Sequence, residues 1–134
     1  MEKNFTIEIV TPARKVMTKE VNSIVIPAAN GYMGIMSRHI PLVNSLGVGV
    51  LKYKSDGKEE YTAISGGFME VSNNKVSIMA DAAENALEID VERAKRAEER
   101  ARERLNNREG IDVIRAEQSL RRAIVRLRAA SLIV

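Results

Sequence analysis

The period of hydrophobic and polar positions changes once along this 134-residue chain, near residue 84. Before that point apolar residues come in short alternating runs. Phe5, Ile7 and Ile9 are separated by Thr6 and Glu8, the two-residue period of a strand that buries one face. Further strand-like runs cover 21–26, 48–53, 61–64, 68–71 and 76–79. Asn30-Gly31, Asp56-Gly57 and Asn73-Asn74 punctuate them, and the last two suit hairpin turns because Asn, Asp and Gly tolerate positive φ. Short strands at this spacing predict a small antiparallel sandwich or barrel with a core of Ile, Val and Met.

After residue 84 the period lengthens to that of a helix. Residues 89–105 carry Val91, Ala94, Ala97, Ala101 and Leu105 on one stripe, and residues 112–132 carry Val113, Ala116, Leu120, Ala123 and Leu127 on another. The link between them is short and contains Gly110, so the second helix folds back along the first. The expected fold class is therefore α+β, an N-terminal antiparallel β-sandwich over 1–84 followed by an antiparallel helix hairpin over 85–134.

Composition sharpens that division. Seven of the eight glycines and all three prolines precede it, while eleven of the thirteen arginines follow it. The net charge of +3 comes from 21 basic and 18 acidic groups, a balance that does not suit nucleic acid, and base-stacking aromatics are few. Without cysteine there is no disulfide scaffold or thiolate metal site, which suits a reducing compartment. No apolar run approaches the ~20 residues of a bilayer span, and the start MEKNFTIEIV has no signal-peptide pattern. The expectation is a soluble, cytoplasmic protein.

No catalytic constellation is legible. The single histidine, His39, stands between Arg38 and Ile40-Pro41 in a turn, without the nucleophile or carboxylate a triad needs. Gly66-Gly67 precedes a strand rather than a helix, so it lacks the setting of a phosphate loop and reads as a bulge or a close backbone crossing. The arginines carry more information. Arg93 with Arg126, and Arg100 with Arg122, reflect about the hairpin link, so four guanidiniums are expected on one patch. Guanidiniums are planar forks that grip phosphate oxygens in pairs, and a polyphosphate would relieve their repulsion. A solvated face with interspersed Glu98, Glu99 and Glu103 is the alternative. Each helix also begins alike, with Ile89-Asp90-Val91-Glu92-Arg93-Ala94 and Ile111-Asp112-Val113-Ile114-Arg115-Ala116. The aspartates suit N-caps, whereas an arginine in a first turn opposes the helix dipole and calls for an anion, a carboxylate or an interface.

Several motifs, in order, carry a resemblance: Gly31 to Ile35 leading to Arg38-His39-Ile40-Pro41-Leu42, then Ile64-Ser65-Gly66-Gly67-Phe68, then Asp81 to Glu84 before the hairpin. The chain resembles, over essentially its whole length, the epsilon subunits of F-type proton-translocating ATP synthases. Its Ile-Asp-x-x-Arg-Ala element further resembles the ATP-binding motif of Bacillus-type members. The resemblance implies a non-catalytic, regulatory rotor subunit of the central stalk. Its sandwich would pack on the gamma subunit and the c-subunit ring through Gly31, Ile35, His39 and Pro41. Its helices would either fold down on the sandwich or extend into the catalytic head, against the beta and alpha subunits, and block ATP hydrolysis. ATP would be a regulatory ligand favouring the folded state, contacted by Glu84, Ile89, Asp90, Arg93, Ala94, Arg100, Arg122 and Arg126; no residue of the pattern specifies Mg²⁺. In that division of labour the arginines grip phosphates, Asp90 and Glu84 accept from the adenine amino group or ribose, Ile89 packs on the base and Ala94 leaves room for it. The implied location is the cytoplasmic face of the bacterial plasma membrane, held peripherally through the complex. The alternative is a purely structural coupling subunit that binds no nucleotide.

Overall fold

The computed structural model describes residues 4–36, 41–107, 110 and 112–133. Its first part is an eight-stranded sheet closed over itself as a sandwich: β1 (Phe5–Val10), β2 (Lys15–Val21), β3 (Ser23–Ala28), β4 (Gly31–Met36), β5 (Leu42–Ser45), β6 (Val48–Ser55), β7 (Lys58–Ser72) and β8 (Lys75–Asn85). The strands pair in the order β2-β1-β8-β7-β6-β3-β4, with β5 added to β7. Alternation puts Phe5, Ile7 and Ile9 into the core, where they meet Ile24, Ile64 and Ile78. The pairings are antiparallel except β1 with β8, which run parallel because the first strand inserts beside the last.

Asp56-Gly57 and Asn73-Asn74 close the β6–β7 and β7–β8 hairpins with positive φ at all four residues, as their composition predicts. The runs at 61–64 and 68–71 are one strand, β7, that turns a corner at Gly66-Gly67. Before the corner β7 pairs with β6, and after it with β5. Both glycines have positive φ, and a Cβ on Gly67 would lie 2.1 Å from the Met79 carbonyl oxygen. The pair is thus a close backbone crossing; the register with β8 is the same on both sides of it, and pairing is interrupted only between Gly66 and Asp81.

A 3-10 turn, Ala86–Glu88, leads from β8 into α1 (Val91–Asn106) and then α2 (Val113–Ser131). Asn85 caps the turn by accepting from the Leu87 N–H at 2.9 Å. Asp90 and Asp112 cap the two helices, each accepting from the backbone N–H three residues on at 3.1 Å. Gly110 takes φ +75° in the link. The helices meet through small residues, Ala94 and Ala101 on α1 and Ala116 and Ala123 on α2, all buried. Val91, expected on that seam, is exposed at the first turn.

The main contact with the sheet is made by α2, against β6 and β7. A second stripe of α2, Val125 and Ala129, packs on Val50, Ala63, Ala86 and Ile89, with Tyr61 and Ala130 at the margin. This patch is separate from the sandwich core, so each can be disrupted alone. Ile35→Asp, which puts a charge among buried isoleucines, is expected to unfold the sandwich at a cost of several kcal/mol. Val125→Asp should free the hairpin while leaving the sandwich folded. Amide hydrogen exchange checks both: in Val125→Asp, protection falls in α1 and α2 and persists in β1, β7 and β8.

Candidate functional site

A cavity of about 560 Å³ opens between the sheet and the hairpin. The sheet contributes Ala63, Ser65, Ala82, Ala83 and Glu84, and α1 contributes Ala97, Arg100, Ala101 and Arg104. Ser119, Arg122, Ala123 and Arg126 come from α2, and Arg14, from the turn before β2, stands on the rim. Positions 97, 100, 101 and 104, like 119, 122, 123 and 126, follow the i, i+3, i+4, i+7 spacing of one helical face. On an ordinary amphipathic helix all four would be apolar. Here alanine or serine alternates with arginine, so the small residues leave the space and the guanidiniums line it.

Five arginines therefore face one carboxylate. The Arg126 Nε donates to the Glu84 Oε1 at 2.7 Å, with the two side chains 24% and 31% exposed. Arg122 donates to the Ser119 Oγ at 3.3 Å, and Arg14 pairs with Glu88 at 3.0 Å. Among the described residues no carboxylate forms an ion pair with Arg100, Arg104 or Arg122. Arg100 with Arg104, and Arg122 with Arg126, are like charges one helical turn apart, each costing about 0.2–0.5 kcal/mol. An anion in the cavity would add an attraction to each guanidinium and offset that repulsion.

Of the residues singled out in the sequence, the cavity unites Glu84, Arg100, Arg122 and Arg126. Ile89, Asp90, Arg93 and Ala94 are not on its wall. Arg93 is seven residues before Arg100, about 10 Å along the helix axis. Ile89 is buried in the patch that docks α2, Asp90 has one carboxylate oxygen committed to capping α1, and Ala94 is fully buried. Arg14, Arg104 and Ser119 went unrecognised in the sequence. Arg104 could have been found as the residue one turn beyond Arg100, and Ser119 as the one a turn before Arg122; nothing local marks Arg14. Asp112 caps α2 as Asp90 caps α1, so the two aspartates of the duplicated element both serve as helix starts.

The residues expected to face a rotor divide. Gly31 and Pro41 are exposed, and His39 lies outside the described residues. Ile35 has to be corrected: it is 2% exposed, pairs with Ile24 across β3 and β4, and belongs to the sandwich core. Its side chain cannot meet a partner while the sandwich is intact. The exposed large apolar side chains nearby are Tyr32, Val43, Val48 and Phe68, on β4, β5, β6 and β7.

Residues 4–86 match the model of the beta-sandwich domain of the ATP synthase delta/epsilon chain, and residues 87–131 match that of its long alpha-helix domain. The chain belongs to the ATP synthase delta/epsilon chain family. The junction of the two domains falls inside the 3-10 turn that separates β8 from α1. A relative named ATP synthase epsilon chain from Desulfitobacterium hafniense (strain Y51) is 48% identical over 130 residues, covering 97% of this chain and 98% of its own. One of the same name from Symbiobacterium thermophilum is 48% identical over 129 residues, 95% of this chain and 93% of its own. Among solved structures, a chain of the Euglena gracilis mitochondrial ATP synthase, determined as an assembly of OSCP, F1 and c-ring, superimposes with a TM-score of 0.75 at 26% identity. The match covers 96% of this chain and 81% of that one. The Tetrahymena thermophila central stalk and c-ring structure gives a TM-score of 0.60 at 12% identity over 98% of this chain and 97% of the other, which shows the fold alone.

For a delta/epsilon chain with this cavity, the excess positive charge should be measurable without any ligand. At low ionic strength Arg122→Gln is expected to raise the stability of the ligand-free chain by about 0.5 kcal/mol, because one member of a like-charged cluster is removed. The gain should vanish in ~0.5 M salt as the charges are screened. Paired thermal melts at the two salt concentrations check it.

Proposed function

We propose that the chain is a central-stalk epsilon subunit of an F-type ATP synthase, whose extended helices inhibit ATP hydrolysis and whose folded hairpin is held down by ATP. The observation that carries this reading is the composition of the cavity wall: α1, α2 and the sheet each supply part of it. Such a site exists only while the hairpin is folded and docked, so any ligand it holds has higher affinity for that state and shifts the population toward it.

The residues present fit the polyphosphate part of the nucleotide. The cavity volume is within the usual range for small-molecule sites. Arg100, Arg122 and Arg126 would take phosphate oxygens in forked pairs, with Arg104 beside them. Glu84 would orient Arg126 and keep its second oxygen for the ligand. Ala63, Ala82, Ala97 and Ala101 would give an uncharged surface of methyl groups. Asp90, Arg93, Ile89 and Ala94 lie toward the start of α1 and would reach a ligand only at that end, for the base and ribose. The reading assigns the chain a regulatory role, with the nucleotide as a ligand rather than a substrate.

On the same reading the exposed apolar residues of the sandwich, with Gly31 and Pro41, face the gamma subunit and the c-ring. The released helices contact the beta and alpha subunits of the head. No helix among the described residues is long and apolar enough to cross a membrane. Attachment to the cytoplasmic face of the bacterial plasma membrane would then be through the complex.

Calorimetric titration of the intact chain with ATP is the direct test, and one site per chain is expected. Arg126→Ala should weaken binding by about 1.5–3 kcal/mol, the effect of one charge-assisted partner, whereas Arg115→Ala should leave it near wild type. No heat up to millimolar ATP would leave a purely structural coupling subunit as the better account. The mechanism has its own test in the assembled synthase. A disulfide introduced between α2 and the sandwich, in a chain with no other cysteine, should speed ATP hydrolysis under oxidising conditions by making extension inaccessible. Equal inhibition in the oxidised and reduced forms would show that extension is not the inhibitory step.

A further inference from the structure

Among the described residues, Arg14 is the one arginine on the cavity that comes from neither helix. Its backbone is braced by the turn between β1 and β2. The Thr11 N–H donates to the Arg14 carbonyl oxygen at 2.9 Å, the Arg14 N–H donates to the Thr11 Oγ1 at 3.2 Å, and the Thr11 hydroxyl donates to the Arg14 carbonyl oxygen at 3.2 Å. From this base the guanidinium reaches Glu88, at the end of the 3-10 turn that joins the sandwich to α1. The pair is 74 residues apart in sequence, and its side chains are 48% and 53% exposed.

An ion pair so open to water contributes little, about 0–1 kcal/mol, and its partners exchange easily. Phosphate oxygens offer the same forked geometry as a carboxylate, carry more charge, and would lie in a cavity that four further guanidiniums line together with Arg14. We propose that Arg14 is a phosphate ligand contributed by the sandwich, held by Glu88 when the cavity is empty and exchanged onto a nucleoside polyphosphate when it is filled. The inference rests on the nucleotide reading above and deepens it. The bound anion then joins three bodies: α1 through Arg100 and Arg104, α2 through Arg122 and Arg126, and the β1–β2 turn through Arg14. It fastens the hairpin to its platform as well as helix to helix, so undocking the closed hairpin as a unit is opposed too.

The exchange predicts opposite signs for the two partners. Titrations of the full-length chain with ATP and with inorganic tripolyphosphate should show Arg14→Ala weakening both by about tenfold, the effect of losing one charge-assisted partner. Glu88→Gln, which removes the competitor, should tighten both by roughly threefold, consistent with an exposed pair of small net strength. Arg102→Ala, off the cavity wall, is the control and should leave both affinities unchanged. Wild-type affinity in Arg14→Ala would overturn the ligand role while leaving the nucleotide reading intact. Weakening in Glu88→Gln comparable to that in Arg14→Ala would make the pair a structural clasp and equally overturn it. A wild-type chain that takes up neither ligand would overturn the nucleotide reading, and this proposal with it.

Discussion

The hairpin is attached to the sandwich by a small apolar patch, and its other properties follow from that attachment. Val125 and Ala129 cover Val50, Ala63, Ala86 and Ile89; half of the six are alanines and only Ile89 is larger than valine. A buried valine contributes about 1.5–3 kcal/mol and an alanine much less. Against this contact stands a cavity wall with five arginines and one glutamate. The like-charge pairs, at about 0.2–0.5 kcal/mol each, subtract from a contact worth only a few kcal/mol, so an anion that binds between the helices deepens a modest well by a large fraction. A larger hydrophobic seat would have made the folded hairpin permanent and insensitive to a ligand.

The sandwich is built on the opposite plan. Phe5, Ile7, Ile9, Ile24, Ile64 and Ile78 are almost completely buried, and β7 runs as a single strand through the corner at Gly66-Gly67. This gives a stiff platform, and β8 carries that stiffness to the edge of the cavity by ending at Glu84 and Asn85, one paired with Arg126 and the other capping the turn into the helices. The rigid and the releasable parts of the chain thus meet within two residues.

Much of this was legible in the sequence for local physical reasons. Turn chemistry at Asp56-Gly57 and Asn73-Asn74, the aspartate caps, and the alanine stripes are all short-range signals, and each came out where the pattern put it. The strands β2, β4 and β5 went unread. The outermost, β2 and β4, have fewer neighbours to enforce alternation, and β5 is only four residues long. The second stripe of α2 was hidden because small residues occur on several faces of that helix, so burial of Val125 and Ala129 is decided by the sheet they meet. Ile35 was placed at a rotor-facing surface by the resemblance alone, with no local signal behind it, while pairing with Ile24 turns its side chain inward. Arg14 had no local mark at all, since what gives it meaning is a helix pair about ninety residues further along.

The alanine seam between the helices has one more consequence. Ala94 and Ala101 are seven residues apart, as are Ala116 and Ala123. A ladder of identical methyl groups at that interval nearly reproduces itself when one helix slides past the other by two turns, about 10 Å. Such a seam acts as a rail: it fixes the direction in which the helices lie without choosing where along it they stop. The stop has to come from features that do not repeat. Arg126 on Glu84 and Val125 in its seat are of that kind, and both belong to α2 and the sheet. The position of α1 along the rail is therefore set at second hand, through its own tether to β8 and through whatever bridges the arginines across the gap.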